Sequence, residues 1–150
     1  MIYANELVSV VQNSKLKLYA DDAKLFLSFP GNTDGFNRLQ NDLNRVYEWA
    51  QLWQLKLSLP KCEVIHIGHR NPQNDYVLGG VTLNSVSDLR DLGVQVCKDL
   101  KFHKHIDQIC AKARQRIHLL FRIFRTKSEK ALIKAYISFV RPILEYCSPV

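Results

Sequence analysis

Leu16, Leu18 and Ala20 alternate with more polar residues, and Leu25, Leu27 and Phe29 alternate again a few positions later. A period of two marks a half-buried strand, whose successive side chains point to opposite faces. The stretch 15–27 therefore predicts a β-hairpin with Asp21-Asp22 at its tip. Before it, Tyr3, Leu7, Val10 and Val11 fall at helical spacing, and Gln12-Asn13-Ser14 reads as the turn between. After it, residues 30–35 form a loop that offers Thr33 or Asp34 as a helix N-cap. Phe36, Leu39, Leu43, Val46, Tyr47 and Ala50 then recur every three or four positions, which predicts an amphipathic helix ending near Trp53. Its polar face carries Arg38, Asn41, Asp42, Arg45 and Glu48. Trp49 and Trp53 share a face; such a pair can stack on bases, but core packing is the commoner use.

Residues 62–68 read as a strand, and 75–83 as a second hairpin, because Gly79-Gly80 supplies the positive φ angles of a two-residue turn. From His103 the pattern becomes helical again. Ile106, Ile109, Cys110, Ala113, Ile117, Leu120, Phe121 and Phe124 form one stripe. Ser128 is positioned to cap a further helix with Leu132, Ala135, Tyr136, Phe139 and Val140 facing a core. Pro142 disfavours its unkinked continuation.

Composition narrows the class. Of the 150 residues, 47% are hydrophobic, enough for a packed core, so a folded chain rather than global disorder is expected. No apolar run is long enough for a membrane span, and no charged-then-apolar leader opens the chain. An intracellular protein, nuclear or cytoplasmic, is expected. Cys62, Cys97, Cys110 and Cys147 show no Cys-x-x-Cys spacing, so free thiols rather than zinc ligands are expected. The net charge of +7 is uneven. Residues 1–97 hold nine Lys/Arg against ten Asp/Glu, whereas 98–150 hold twelve against four. A polyanionic partner for the second half would explain that split, and so would a solvated helix surface.

The acids at the hairpin tip carry the candidate chemistry. Asp tolerates turn geometry, so spacing alone favours turn acids. The alternative is a metal site, because Mg²⁺ takes one or two carboxylates together with substrate phosphates. Tyr19-Ala20-Asp21-Asp22, followed by Ala23-Lys24-Leu25-Phe26, resembles the catalytic hairpin of reverse transcriptases of non-LTR (LINE-type) retrotransposons. The resemblance continues in order through nearly the whole chain. Residues 49–68 resemble the helix–loop–strand unit behind the active site, Asp91-Leu92-Gly93-Val94 the strand that holds the primer end, and the basic helices the thumb.

The resemblance implies an α+β fold: a partial polymerase palm, with an antiparallel sheet and packed helices, over 1–97, then a helical thumb over 98–150. It implies RNA-directed DNA polymerase chemistry, with an RNA template, a DNA primer and dNTP as partners. Asp21 and Asp22 would hold Mg²⁺ or Mn²⁺. Lys61 would approach the phosphates of the incoming nucleotide, where an ammonium could neutralise or protonate departing pyrophosphate. Tyr19, Leu92 and Gly93 would lie near the primer, and Lys104, Lys112, Arg114 and Arg116 along the nucleic-acid backbone. Two-metal transfer also needs a third carboxylate, which by resemblance should lie upstream of Met1. The chain alone is therefore expected to show little or no polymerase activity. A nucleic-acid-binding module without catalysis, such as a retrotransposon remnant, is the rival expectation.

Overall fold

A computed structural model describes residues 4–29, 34–124 and 128–148. Its contacts divide the chain between Val86 and Ser87, ahead of the 97/98 division expected from sequence.

In the first unit, helix α1 (Ala4–Val10) leads through a turn into strands β1 (Lys15–Tyr19) and β2 (Asp22–Phe26), which form an antiparallel hairpin. Helix α2 (Asp34–Leu52) follows. Of the two expected caps, Asp34 is already the first helical residue and Thr33 lies outside the described residues. A short 3-10 turn (Leu59–Lys61) then precedes β3 (Glu63–Ile65). Strands β4 (Val77–Leu78), β5 (Val81–Thr82) and β6 (Asn84–Val86) complete the unit. β4 and β5 pair antiparallel across Gly79-Gly80, whose φ angles are +59° and +80°. β3 pairs in parallel with β6. The strand expected over 62–68 shrinks to three residues, because its partner β6 is only three residues long.

The core of this unit is built from the helix periodicity. Phe36, Leu39, Leu43 and Tyr47 on α2 pack over buried Tyr76, Leu78 and Leu83. The Phe36 and Tyr76 rings meet at 5.3 Å. Gln40 adds a polar pin, donating from Nε2 to the Val77 carbonyl (2.7 Å) and accepting the Val77 N–H at Oε1 (2.9 Å). An exposed strand edge offers unpaired N–H and C=O groups, and here one amide side chain satisfies both. Asp42 departs from expectation: on the polar face by sequence, its side chain is 0% exposed. Of the tryptophan pair, Trp53 is exposed and Trp49 is half-buried; the Trp49 Nε1 is a buried donor without an acceptor among the described residues.

The second unit opens with an antiparallel hairpin of β7 (Asp88–Asp91) and β8 (Val94–Cys97). Asp91-Leu92-Gly93-Val94, expected by resemblance to be a strand, is therefore corrected to a tight turn. Leu92 and Gly93 occupy it with φ of +45° and +90°, the two positive angles of a two-residue hairpin loop. Helices α3 (His103–Ile123), α4 (Glu129–Phe139) and α5 (Arg141–Glu145) follow, and α5 packs on both α3 and α4. Pro142 sits in the first turn of α5, where its missing N–H costs nothing. The helices meet over buried Ala113, Ala135 and Val140. These small contact residues leave much of the expected apolar stripe open: Ile106, Phe121, Tyr136 and Phe139 are exposed, not core-facing.

The described residues thus form four two-stranded ribbons, three antiparallel and one parallel, where one antiparallel sheet was expected. Strands of two to five residues offer too few ladder bonds to recruit further neighbours without a shared apolar face. No helix among them is long and apolar enough to cross a membrane.

Candidate functional site

The first hairpin closes with a two-residue loop, because Tyr19 pairs with Asp22 and only Ala20 and Asp21 lie between. Leu16 faces Leu25 and Leu18 faces Ala23 on one side of the ribbon; Lys17 faces Lys24 and Tyr19 faces Asp22 on the other. The half-buried leucines fix that register, since a slip of one residue would turn them outward. Ala20 carries φ of +53°, a left-handed conformation that costs a residue with a Cβ roughly 1–2 kcal/mol. Asp21 and Asp22 are adjacent and exposed, one in the loop and one opening β2. Neither carboxylate has a hydrogen-bond or ion-pair partner among the described residues.

Those two carboxylates suit a hard divalent cation held jointly with phosphate oxygens. They do not make a closed protein cage: among the described residues no three His, Cys, Asp or Glu side chains gather around a common point. Lys61 is exposed at the end of the 3-10 turn, with its backbone N–H donating to Ser58 (2.9 Å). Tyr19 is also exposed, at 63%.

Below the hairpin lies a residue that sequence reading did not single out as functional. Both oxygens of the Asp42 carboxylate accept hydrogen bonds from residues 12–14, including the three consecutive backbone N–H groups at 3.2, 2.8 and 2.7 Å. Burial opposes its charged form. The Ser14 hydroxyl and the N–H groups of Gln12, Asn13 and Ser14 outweigh that burial and hold the carboxyl well below its usual range. The Arg45 guanidinium lies 3.1 Å from Oδ1.

In the second unit, a groove of about 420 Å³ brings Gly93 and Lys112 together with Arg90, His105 and Tyr146. Gly93 and Lys112 are sequence candidates; Arg90, His105 and Tyr146 are additions from the structure. His105 is buried and accepts the Gln95 N–H at Nδ1 (3.4 Å), which leaves Nε2 to carry the ring proton in the neutral form. His105, Ile109 and Lys112 recur at helical spacing on α3, a signal masked by their mixed polarity. Leu92 is held through its carbonyl, which accepts the Tyr146 hydroxyl at 2.6 Å. Lys104 is engaged differently from expectation: its Nζ lies 3.0 Å from Asp88 Oδ1. That contact raises the lysine pKa and lowers that of Asp88. Arg114 and Arg116 are exposed on α3 and do not line the groove.

The chain is distantly similar to the RNA-directed DNA polymerase from mobile element jockey of Drosophila funebris, with 25% identity over 138 residues. The match covers 88% of this chain, so it necessarily includes Asp21 and Asp22, but it spans only 15% of that relative. No family model matches the chain. No solved structure matches it.

Proposed function

We propose that this chain supplies part of an RNA-directed DNA polymerase: a cation-holding acidic hairpin in the first unit and a nucleic-acid-binding surface in the second. The observation that carries the reading is the pair of adjacent carboxylates at the tip of the first hairpin, unpartnered among the described residues, in a chain distantly similar to a polymerase of that kind. Side-by-side carboxylates repel, and a divalent cation relieves the repulsion. Asp21 and Asp22 would hold Mg²⁺ or Mn²⁺. Held there, such a cation would supply charge stabilisation to phosphate oxygens and ease deprotonation of an attacking hydroxyl. The residues themselves orient that charge. The ribbon fixes where the carboxylates project, Tyr19 offers an exposed ring on the same face as Asp22, and Lys61 is the candidate cation for departing pyrophosphate. Among the described residues the donor set is incomplete for two ions, and the 150-residue chain by itself is expected to extend a primer weakly or not at all.

In the second unit Arg90, Lys112 and Gly93 line one groove. Lysine and arginine attract phosphate whatever the sequence, and a glycine lets a backbone approach closely. This groove also supports the second reading, a module that grips a primer–template duplex without catalysis. Fluorescence anisotropy with a primed RNA template separates the two. Lys112→Glu should weaken duplex binding in either case. Asp21→Asn should abolish Mg²⁺-dependent dNTP binding only if the acidic hairpin is a working cation site. Retention of that dNTP binding by Asp21→Asn would leave the non-catalytic module as the better account.

A further inference from the structure

Asp42 stands on α2, yet among the described residues every hydrogen bond it receives from outside that helix comes from the three residues that lead into β1. Oδ1 accepts the Gln12 N–H and the Asn13 side-chain amide, each at 3.2 Å. Oδ2 accepts the Asn13 N–H at 2.8 Å, the Ser14 N–H at 2.7 Å and the Ser14 hydroxyl at 2.5 Å. Consecutive N–H groups converging on one anion form a backbone nest, and here the anion belongs to the protein. Arg38 supports the same turn from α2, with Nε 3.4 Å from Asn13 Oδ1.

The grip ends one residue before the ribbon starts. It fixes the direction of the chain at Ser14, and the five paired positions from Lys15 to Tyr19 carry that direction to Ala20 and Asp21. Stability alone is a poor reason for this arrangement. A fully enclosed charge must give up its hydration, and an apolar replacement of the same size is often no less stable. What a charge with five directed hydrogen bonds provides is one orientation of the segment it holds.

We infer that Asp42 is a positioning residue: it sets the direction and stiffness with which the β1–β2 ribbon presents Asp21 and Asp22. Its functional consequence rests on the cation-site reading proposed above; its mechanical content does not.

Residue-resolved hydrogen exchange and Mn²⁺ titration on the whole chain test this with Asp42→Asn and, as a milder change, Ser14→Ala. Asparagine replaces one acceptor oxygen by a donor, so the Oδ2 contacts from the Asn13 and Ser14 N–H groups are lost while shape is kept. In Asp42→Asn the amides of residues 12–26 should exchange at least about tenfold faster, the loss of roughly one charge-assisted hydrogen bond. The amides of Tyr76, Leu78 and Leu83 should keep their rates. Mn²⁺ affinity should fall several-fold, and Ser14→Ala should shift both readouts in the same direction but less. If exchange rises equally at Tyr76, Leu78 and Leu83, or nowhere, the inference is wrong and Asp42 is a general stabiliser or dispensable. If Mn²⁺ affinity depends on Asp21 but not on Asp42, positioning is refuted while the cation site stands. If the ribbon loosens but Asp21→Ala leaves Mn²⁺ affinity unchanged, the positioning role is upheld and the cation-site reading falls. Should Asp42→Asn fail to fold, Ser14→Ala decides on the same criteria.

Discussion

The Tyr146 hydroxyl donates to the Leu92 carbonyl at 2.6 Å, joining the end of α5 to the tip of the β7–β8 hairpin across 54 residues of sequence. The bond restrains a loop whose two residues both carry positive φ. Tyr146→Phe removes the donor and keeps the ring. The expected loss is about 1 kcal/mol, the ordinary net value of one hydrogen bond. Urea unfolding checks it, and because the released loop carries Gly93, which lines the groove, duplex affinity should fall in parallel.

Gly93→Ala attacks the same loop from the backbone side. At φ of +90° any Cβ is strained, and this one would meet the Tyr146 ring at 3.3 Å. A loss of roughly 1–2 kcal/mol is expected. Thermal unfolding followed by near-ultraviolet circular dichroism reads it. Lys112→Ala, on an exposed helix surface beside the same groove, should leave the unfolding temperature nearly unchanged.

Acid should weaken the first unit through Asp42. The carboxyl is held below its unfolded value of 3.8, so the unfolded chain takes up the proton first. The stabilisation is complete above that value and is lost as pH falls from about 4 toward the lower folded pKa. Urea midpoints between pH 6 and pH 2.5 should drop steeply for the natural chain. Asp42→Asn should be weaker at pH 6 and show a shallower drop, since the other carboxylates still titrate. Parallel curves would mean that Asp42 is not the titrating anchor.

Nucleic-acid affinity should fall linearly in log–log form with added salt. Each phosphate contact contributes a slope of about −0.9 on duplex DNA. Lys112→Ala should reduce the slope by about one contact's worth. Lys104→Ala should change it less, because its ammonium is already paired with Asp88. Filter binding from low to moderate salt gives both slopes.

Local pattern carried much of this architecture. The leucine alternation located the first hairpin, the paired glycines located the second, and the three-and-four spacing located α2 and α3. What stayed hidden is what one chain segment does to another. Asp42 looked like a surface residue because its partners at 12–14 lie about thirty positions away and meet it only after folding. The Leu92-Gly93 turn was obscured because leucine rarely adopts positive φ and supplies no turn signal of its own. The exposure of Phe121 and Phe139 was also invisible, since a helical stripe gives the direction of an apolar face but not how much of it a neighbour covers.

The most direct test of the cation site is Mn²⁺ binding followed by electron paramagnetic resonance, on the natural chain and on Asp21→Ala and Asp22→Ala, with primed RNA template and dNTP present. The natural chain should bind Mn²⁺ with an affinity that falls at least about tenfold when either carboxylate is removed, a loss of roughly one charged ligand. Equal Mn²⁺ affinity in all three proteins would contradict it and return Asp21 and Asp22 to the role of turn residues.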